Sequence, residues 1–157
     1  MWKTKLKGSE KRAVSRSFLV ASPEESYNQK PVYLTQKDVR EVQLAKGAIA
    51  AGIKTLMDEL GIGAKDINHV YPAGVLGNHV DPLSAVRIGL LPRINPGIIR
   101  SLGNAASRGA SMALLSKKHW QVAKDLVAFI EHIELSYRHD FNKYFVEHLD
   151  FPKENMW

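Results

Sequence analysis

The chain has 157 residues, a formal net charge of +6 and no cysteine, with 45% hydrophobic and 24% charged residues. That length and balance fit one globular domain with a buried core. Without cysteine, the chain can hold no disulfide, no zinc–thiolate site and no cysteine-ligated iron–sulfur cluster.

The start is basic and polar, with Lys3, Lys5, Lys7, Lys11 and Arg12 inside the first dozen residues. Residues 1–12 read as a solvated, mobile tail, and a nucleic-acid contact through it ranks third among the functional readings. No apolar core follows as in a signal peptide, and no apolar run approaches the ~20 residues that span a bilayer. The expectation is a cytoplasmic protein without membrane attachment. Residues 13–157 are expected to form a single lobe.

Ser17–Ala21 and Pro31–Leu34 read as two short strands around a polar loop, an arrangement that suggests a hairpin. Thr35-Gln36-Lys37-Asp38 resembles a capping box with Asp at the usual Glu position. Val39, Val42, Ala45, Ile49, Ile53, Leu56 and Leu60 then recur at helical spacing, and Gly61 supplies a stop. This helix is apolar on more than one face.

Ile67–Ala73 reads as a strand and Gly74–Asn78 as a turn. Pro82–Leu90 reads as a short helix capped by Asp81. Ile98–Leu102 reads as a strand with a turn at Gly103-Asn104. Ala105–Ser116 reads as a helix kept thin by Ser107, Gly109, Ala110 and Ser111, which suits close backbone approach. Trp120–Phe129 reads as a helix, Ile130–Leu135 as a strand and Asp140–Leu149 as a last helix. Such alternation implies an α/β fold, a mixed sheet with helices on both faces. Ligands in such sheets sit beyond the carboxyl ends of strands. The turns Ala73-Gly74-Val75-Leu76-Gly77-Asn78 and Leu102-Gly103-Asn104-Ala105-Ala106 both lie there. The second runs into a helix, whose N-terminus can hold an anion or an electron-rich edge.

Six histidines are present, and none forms a His-x-x-x-His or His-Glu-x-x-His pattern, so no metal site is expected. No serine-nucleophile motif or complete phosphate-binding loop is found, and no catalytic residue is assigned. Phe141, Tyr144, Phe145, Leu149 and Phe151 read as core or interface.

Three stretches together resemble the carboxy-terminal ATPase domain of the reductive activators of corrinoid proteins. They are Leu34-Thr35-Gln36-Lys37-Asp38-Val39-Arg40-Glu41-Val42-Gln43-Leu44-Ala45-Lys46-Gly47-Ala48-Ile49; Ala73-Gly74-Val75-Leu76-Gly77-Asn78 with Gly89-Leu90-Leu91-Pro92; and Gly103-Asn104-Ala105-Ala106 with Gly109-Ala110. The resemblance runs from about Phe18 to Pro152. It implies a ribonuclease-H-like lobe of the actin, sugar-kinase and Hsp70 type. It implies that Gly74, Val75 and Gly77 lie against adenine or ribose, with Gly103 and Asn104 at the same pocket and Asn78 close by. Gln43, Lys46 and Gly47 would face that pocket from the long helix, Lys46 donating to ribose or phosphate oxygens. ATP or ADP with magnesium is the implied cofactor of the complete domain, and a corrinoid protein the implied partner.

Two family features are missing. There is no Asp-Gly-Thr-type phosphate loop, and no set of four cysteines for a plant-type cluster. The resemblance therefore covers the last third or so of such a protein. The missing lobe, or a second copy of the chain, is expected as a further partner. The alternative reading is a docking or dimerisation module that keeps the fold without binding nucleotide.

Overall fold

The computed structural model describes Lys3–Thr4 and residues 16–153. Contacts divide the chain into two compact units, Met1–Ala45 and Lys46–Trp157.

The first unit carries a small antiparallel sheet in the order β1-β2-β3. The strands are β1 (Lys3–Thr4), β2 (Arg16–Ala21) and β3 (Val32–Thr35). The expected hairpin is β2–β3, in register Ser17↔Thr35, Phe18↔Leu34 and Leu19↔Tyr33, with an irregularity before Ala21↔Val32. Lys3 and Thr4, placed in the mobile tail by sequence, pair with Ser17 and Arg16. The rest of residues 1–12 lies outside the described residues.

Thr35 ends β3 and caps α1 (Gln36–Glu59). The capping box forms as read. Thr35 N–H donates to Asp38 Oδ2 at 2.8 Å, and Asp38 N–H donates to Thr35 Oγ1 at 3.2 Å. At the other end, Gly61 takes φ +66°. Its N–H donates to the Asp58 carbonyl at 3.1 Å, and the Ile62 N–H donates to the Met57 carbonyl at 2.9 Å. This crossed pair satisfies carbonyls that the helix itself leaves open.

In the second unit, α1 buries Lys46, Gly47, Ala50, Ala51, Gly52, Thr55 and Met57. Small residues dominate that face and let other chain come close. A Cβ on Gly47 would stand 3.3 Å from the His148 carbonyl oxygen, and one on Gly52 would stand 3.5 Å from Leu135 Cδ1. The close-approach helix is thus α1. The helix α4 (Ala105–Leu115), expected to be the thin one, has no buried residue, and a Cβ on Gly109 would meet nothing within 4 Å.

The remaining helices are α2 (Gly74–His79), α3 (Pro82–Arg87), α5 (Lys117–Val127) and α6 (His139–Glu147), with single 3-10 turns at Ala64–Asp66, Pro96–Ile98 and Leu135–Tyr137. Asp81 caps α3 as read, accepting from the Ser84 N–H at 2.7 Å. Four sequence assignments change. Residues 74–78, read as a turn, belong to α2. The strands read at 67–73 and 98–102 reduce to two isolated parallel bridges, Val70↔Ile99 and Ala73↔Gly103. No strand forms at 130–135, because a strand needs a hydrogen-bonded neighbour and none lies there among the described residues. The molecule therefore combines helices with a small sheet.

The end of α1 is tied to α6 by polar contacts. Tyr144 donates its hydroxyl to Asp58 Oδ2 at 2.6 Å, and Asp58 also pairs with Lys54. The Arg138 guanidinium bridges Glu59 at 2.8 Å and Asp140 at 2.8 Å. The Lys54 ammonium and the Tyr144 hydroxyl hold the Asp58 carboxyl below the usual carboxylate range. The Arg138 guanidinium takes Asp140 down to about 2.

Candidate functional site

The two glycine turns meet. Residues 70–74 and 98–103 run parallel and exchange four backbone hydrogen bonds. Val70 N–H donates to Ile98 O at 3.1 Å, Arg100 N–H to Val70 O at 2.9 Å, Leu102 N–H to Pro72 O at 2.9 Å and Gly74 N–H to Gly103 O at 2.7 Å. The last bond puts the two turns side by side. Gly74 has φ +83° and Gly103 φ +61°, the left-handed region that suits glycine. A Cβ on either would meet nothing within 4 Å, so both turns present bare, open backbone.

A helix leaves from each turn. The segment after Gly103 enters α4, and the Asn104 side chain accepts from the Ser107 N–H at 3.0 Å. The segment after Ala73 enters α2 directly. Gly77 has a packing reason of its own. A Cβ there would lie 2.8 Å from the carbonyl carbon and Cβ of Pro72, so only glycine lets α2 fold back on the segment before it. Val75 and Asn78 also lie in α2, and their side chains are outside the described part of the structure.

Beneath the first turn is a cavity of about 290 Å³, whose walls include Pro72, Ala73, Gly77, Ile49, Leu90 and Ile99. Its lining is almost wholly apolar. Open glycine backbone above an apolar slot suits a flat, weakly polar ring.

Of α1, Ile49 lines this slot, and Lys46 and Gly47 are not among its walls. Gln43 is half-buried and belongs to the first unit's share of the helix. Gly47 packs on the end of α6. Lys46 is 2% exposed, and its ammonium donates to the Asp150 carbonyl oxygen, with the Phe151 ring centroid 5.3 Å away. Burial lowers the Lys46 pKa, against the opposing pull of the Asp150 charge. Lys46 lines a second, larger cavity of about 790 Å³, to which none of Gly74, Gly77 and Gly103 contributes. Of the residues on that cavity, Arg93 carried no sequence signal and Phe151 was read as core or interface, since their place depends on chain far from α1.

Among the described residues, no group of three or more His, Asp or Glu side chains could hold a metal ion. No helix there is long and apolar enough to cross a membrane.

A family model described as the C-terminal, ASKHA domain of RACo matches residues 3–157. The corrinoid activation enzyme RamQ of Eubacterium limosum is 40% identical over 121 residues, covering 77% of this chain and 20% of its own length. A Co(II) methylated amine-specific corrinoid protein reductase of Methanosarcina barkeri is 30% identical over 129 residues, covering 80% of this chain and 23% of its own. A solved structure of a reductive activator for corrinoid, iron-sulfur protein superposes with a TM-score of 0.79 at 32% identity, over 87% of this chain and 22% of that one. The chain thus spans about a fifth of these relatives, a smaller share than the third expected from sequence. The actin-like fold carried by that family agrees with the helices and small sheet seen here. With the family model matched over nearly its whole length, the chain belongs to the RACo C-terminal, ASKHA domain family.

Proposed function

We propose that this domain is the adenine-nucleotide-binding, ribonuclease-H-like lobe of an ATP-dependent reductive activator of corrinoid proteins. The observation that carries the reading is the meeting of the two glycine turns. Gly74 and Gly103 share a 2.7 Å backbone hydrogen bond, both at positive φ, with open space where side chains would stand. In this reading adenine enters the apolar slot beside Ala73 and Gly77, and the ribose lies along Gly103 and Asn104. ATP or ADP with magnesium is the ligand. The magnesium carboxylates and the phosphate loop belong to another lobe, since they are not among the motifs of this sequence. The iron–sulfur cluster also belongs elsewhere, because the chain has no cysteine.

Relatives named for corrinoid activation and Co(II) corrinoid reduction support a corrinoid protein as partner. In the complete activator, an inactive Co(II) corrinoid would be returned to Co(I), with ATP binding and hydrolysis driving the change of complex. This lobe would sense the nucleotide rather than cleave it.

A docking module without nucleotide binding is the second reading. It is favoured by Leu114, Leu115 and Phe129, which are 86%, 85% and 85% exposed around α4 and α5.

A domain exchange tests the choice. This chain replaces the matching segment of the Eubacterium limosum relative, and ATP-dependent reduction of a Co(II) corrinoid protein is followed by absorbance. The nucleotide reading predicts activity in the chimera and at least a tenfold loss with Gly74→Val. Activity that ignores Gly74→Val would favour the docking module.

A further inference from the structure

The helix α5 is amphipathic and unburied. Trp120, Ala123, Leu126 and Val127 recur at spacings of three and four, which makes an apolar stripe along one side, and Val122 widens it. A helix of this pattern ordinarily turns its stripe into a core. Here α5 packs against α4, yet every residue of Lys117–Val127 is exposed, and α4 also buries none. Apolar side chains gathered on one exposed face mark a surface that meets another molecule.

Cations rim the stripe. Lys118 stands one turn before Val122 and Lys124 one turn after Trp120, so the two fall at its opposite edges. The Lys124 ammonium lies 5.7 Å from the centroid of the Trp120 ring. Residues 105–130 hold Arg108, Lys117, Lys118 and Lys124 against Asp125 alone. None of the four cations is in an ion pair among the described residues. Asp125 accepts from Gln121 at 2.8 Å. Unpaired cations beside an apolar stripe complement a ridge of apolar residues between acidic ones. They oppose a second copy of the same hairpin, whose like charges would meet them. The domain makes up about a fifth of the length of its relatives, so most of each relative is other polypeptide that can cover this face.

We propose that α5 docks an amphipathic α-helix with acidic flanks from the remainder of the corrinoid activator. The partner helix lays its apolar ridge along Trp120, Leu126 and Val127, and its carboxylates pair with Lys118 and Lys124. The source of the partner rests on the activator reading. The chemistry of the face does not, and it is independent of the nucleotide site, because Gly74, Gly77 and Gly103 lie outside α4 and α5.

The test is fluorescence anisotropy of two labelled amphipathic peptides of about 18 residues, long enough to hold a helix, titrated with the full chain. Both carry the same leucine ridge, flanked by glutamate in one and by lysine in the other. No nucleotide is present, so the outcome does not depend on the glycine turns. The glutamate peptide should bind with a Kd of about 100 µM or tighter, and the lysine peptide at least ~10-fold more weakly. Trp120→Glu should weaken the glutamate peptide at least ~10-fold. Lys118→Glu with Lys124→Glu changes only exposed side chains and should reverse the preference, so it carries the test if Trp120→Glu does not fold. In the chimera with the Eubacterium limosum relative, the amides of residues 117–127 should exchange with deuterium at least ~10-fold more slowly than in the chain alone. Equal binding of the two peptides, or binding of neither, overturns the proposal. Exchange in the chimera as fast as in the chain alone overturns the activator as the source of the partner. Exchange at 117–127 that slows in the chain alone as its concentration rises, or with phosphatidylserine vesicles but not with the glutamate peptide, would assign the face to a second copy or to a lipid surface, and would overturn the proposal as well.

Discussion

Gly74 donates its backbone N–H to the carbonyl oxygen of Gly103 at 2.7 Å, and the two residues stand at φ +83° and +61°. This one bond joins two turns that are 29 residues apart in sequence by their numbering. It makes their open backbone a single surface.

Glycine substitutions should separate backbone strain from packing. Gly74→Ala meets no atom within 4 Å, so its cost is the left-handed backbone alone, about 1 kcal/mol of stability. Gly109→Ala, in the open interior of α4, should instead stabilise by roughly 0.5–1 kcal/mol. Urea unfolding of the two variants checks both signs. Equal effects would show that the Gly74 turn relaxes freely.

Thr55 is fully buried on α1, and its Oγ1 has no hydrogen-bond partner among the described residues. An unmet buried hydroxyl costs free energy that a methyl group of the same shape does not. Thr55→Val should raise stability by about 1 kcal/mol and the melting temperature by roughly 2–4 °C. A lower melting temperature would mean that the hydroxyl has a partner in solution.

The Arg138–Asp140 pair sets an acid limb. Asp140 titrates at about 2 in the folded chain, against about 3.9 for a free aspartate. A depressed carboxyl stabilises the fold above its unfolded pKa, and that contribution fades as pH falls from about 4 towards 2. Asp58, lowered by Lys54 and Tyr144, acts in the same direction. The melting temperature of the native chain should therefore fall more steeply between pH 5 and pH 2 than that of Asp140→Asn. Parallel slopes would show that the pair is not formed in solution.

Local signals were legible in the sequence, and long-range ones were not. The Thr35–Asp38 box, the Gly61 stop and the Asp81 cap depend on neighbours within a few residues, and all three form. The β2–β3 hairpin was legible for the same reason. The Gly74–His79 helix was not, because two glycines in six residues read as a turn, and only the packing on Pro72 explains Gly77. Residues 130–135 carry strand-forming side chains but lie beside no strand, and residue type cannot reveal a missing neighbour. Lys46 was placed on the correct helix, but its bond to Asp150 spans 104 residues and leaves no local trace. The glycine pair was legible by its place after two strand-like stretches, and the family resemblance added the adenosine role, since each turn alone fits an ordinary loop.

The most direct test of the nucleotide site is an amide NMR titration of this chain with ADP and magnesium. The largest shifts should fall on the N–H groups of Gly74, Gly77, Gly103 and Asn104, with those of Arg93 and Phe151 nearly unmoved. Shifts centred on Arg93 and Phe151, or none at millimolar ADP, would contradict a nucleotide site at the paired glycine turns.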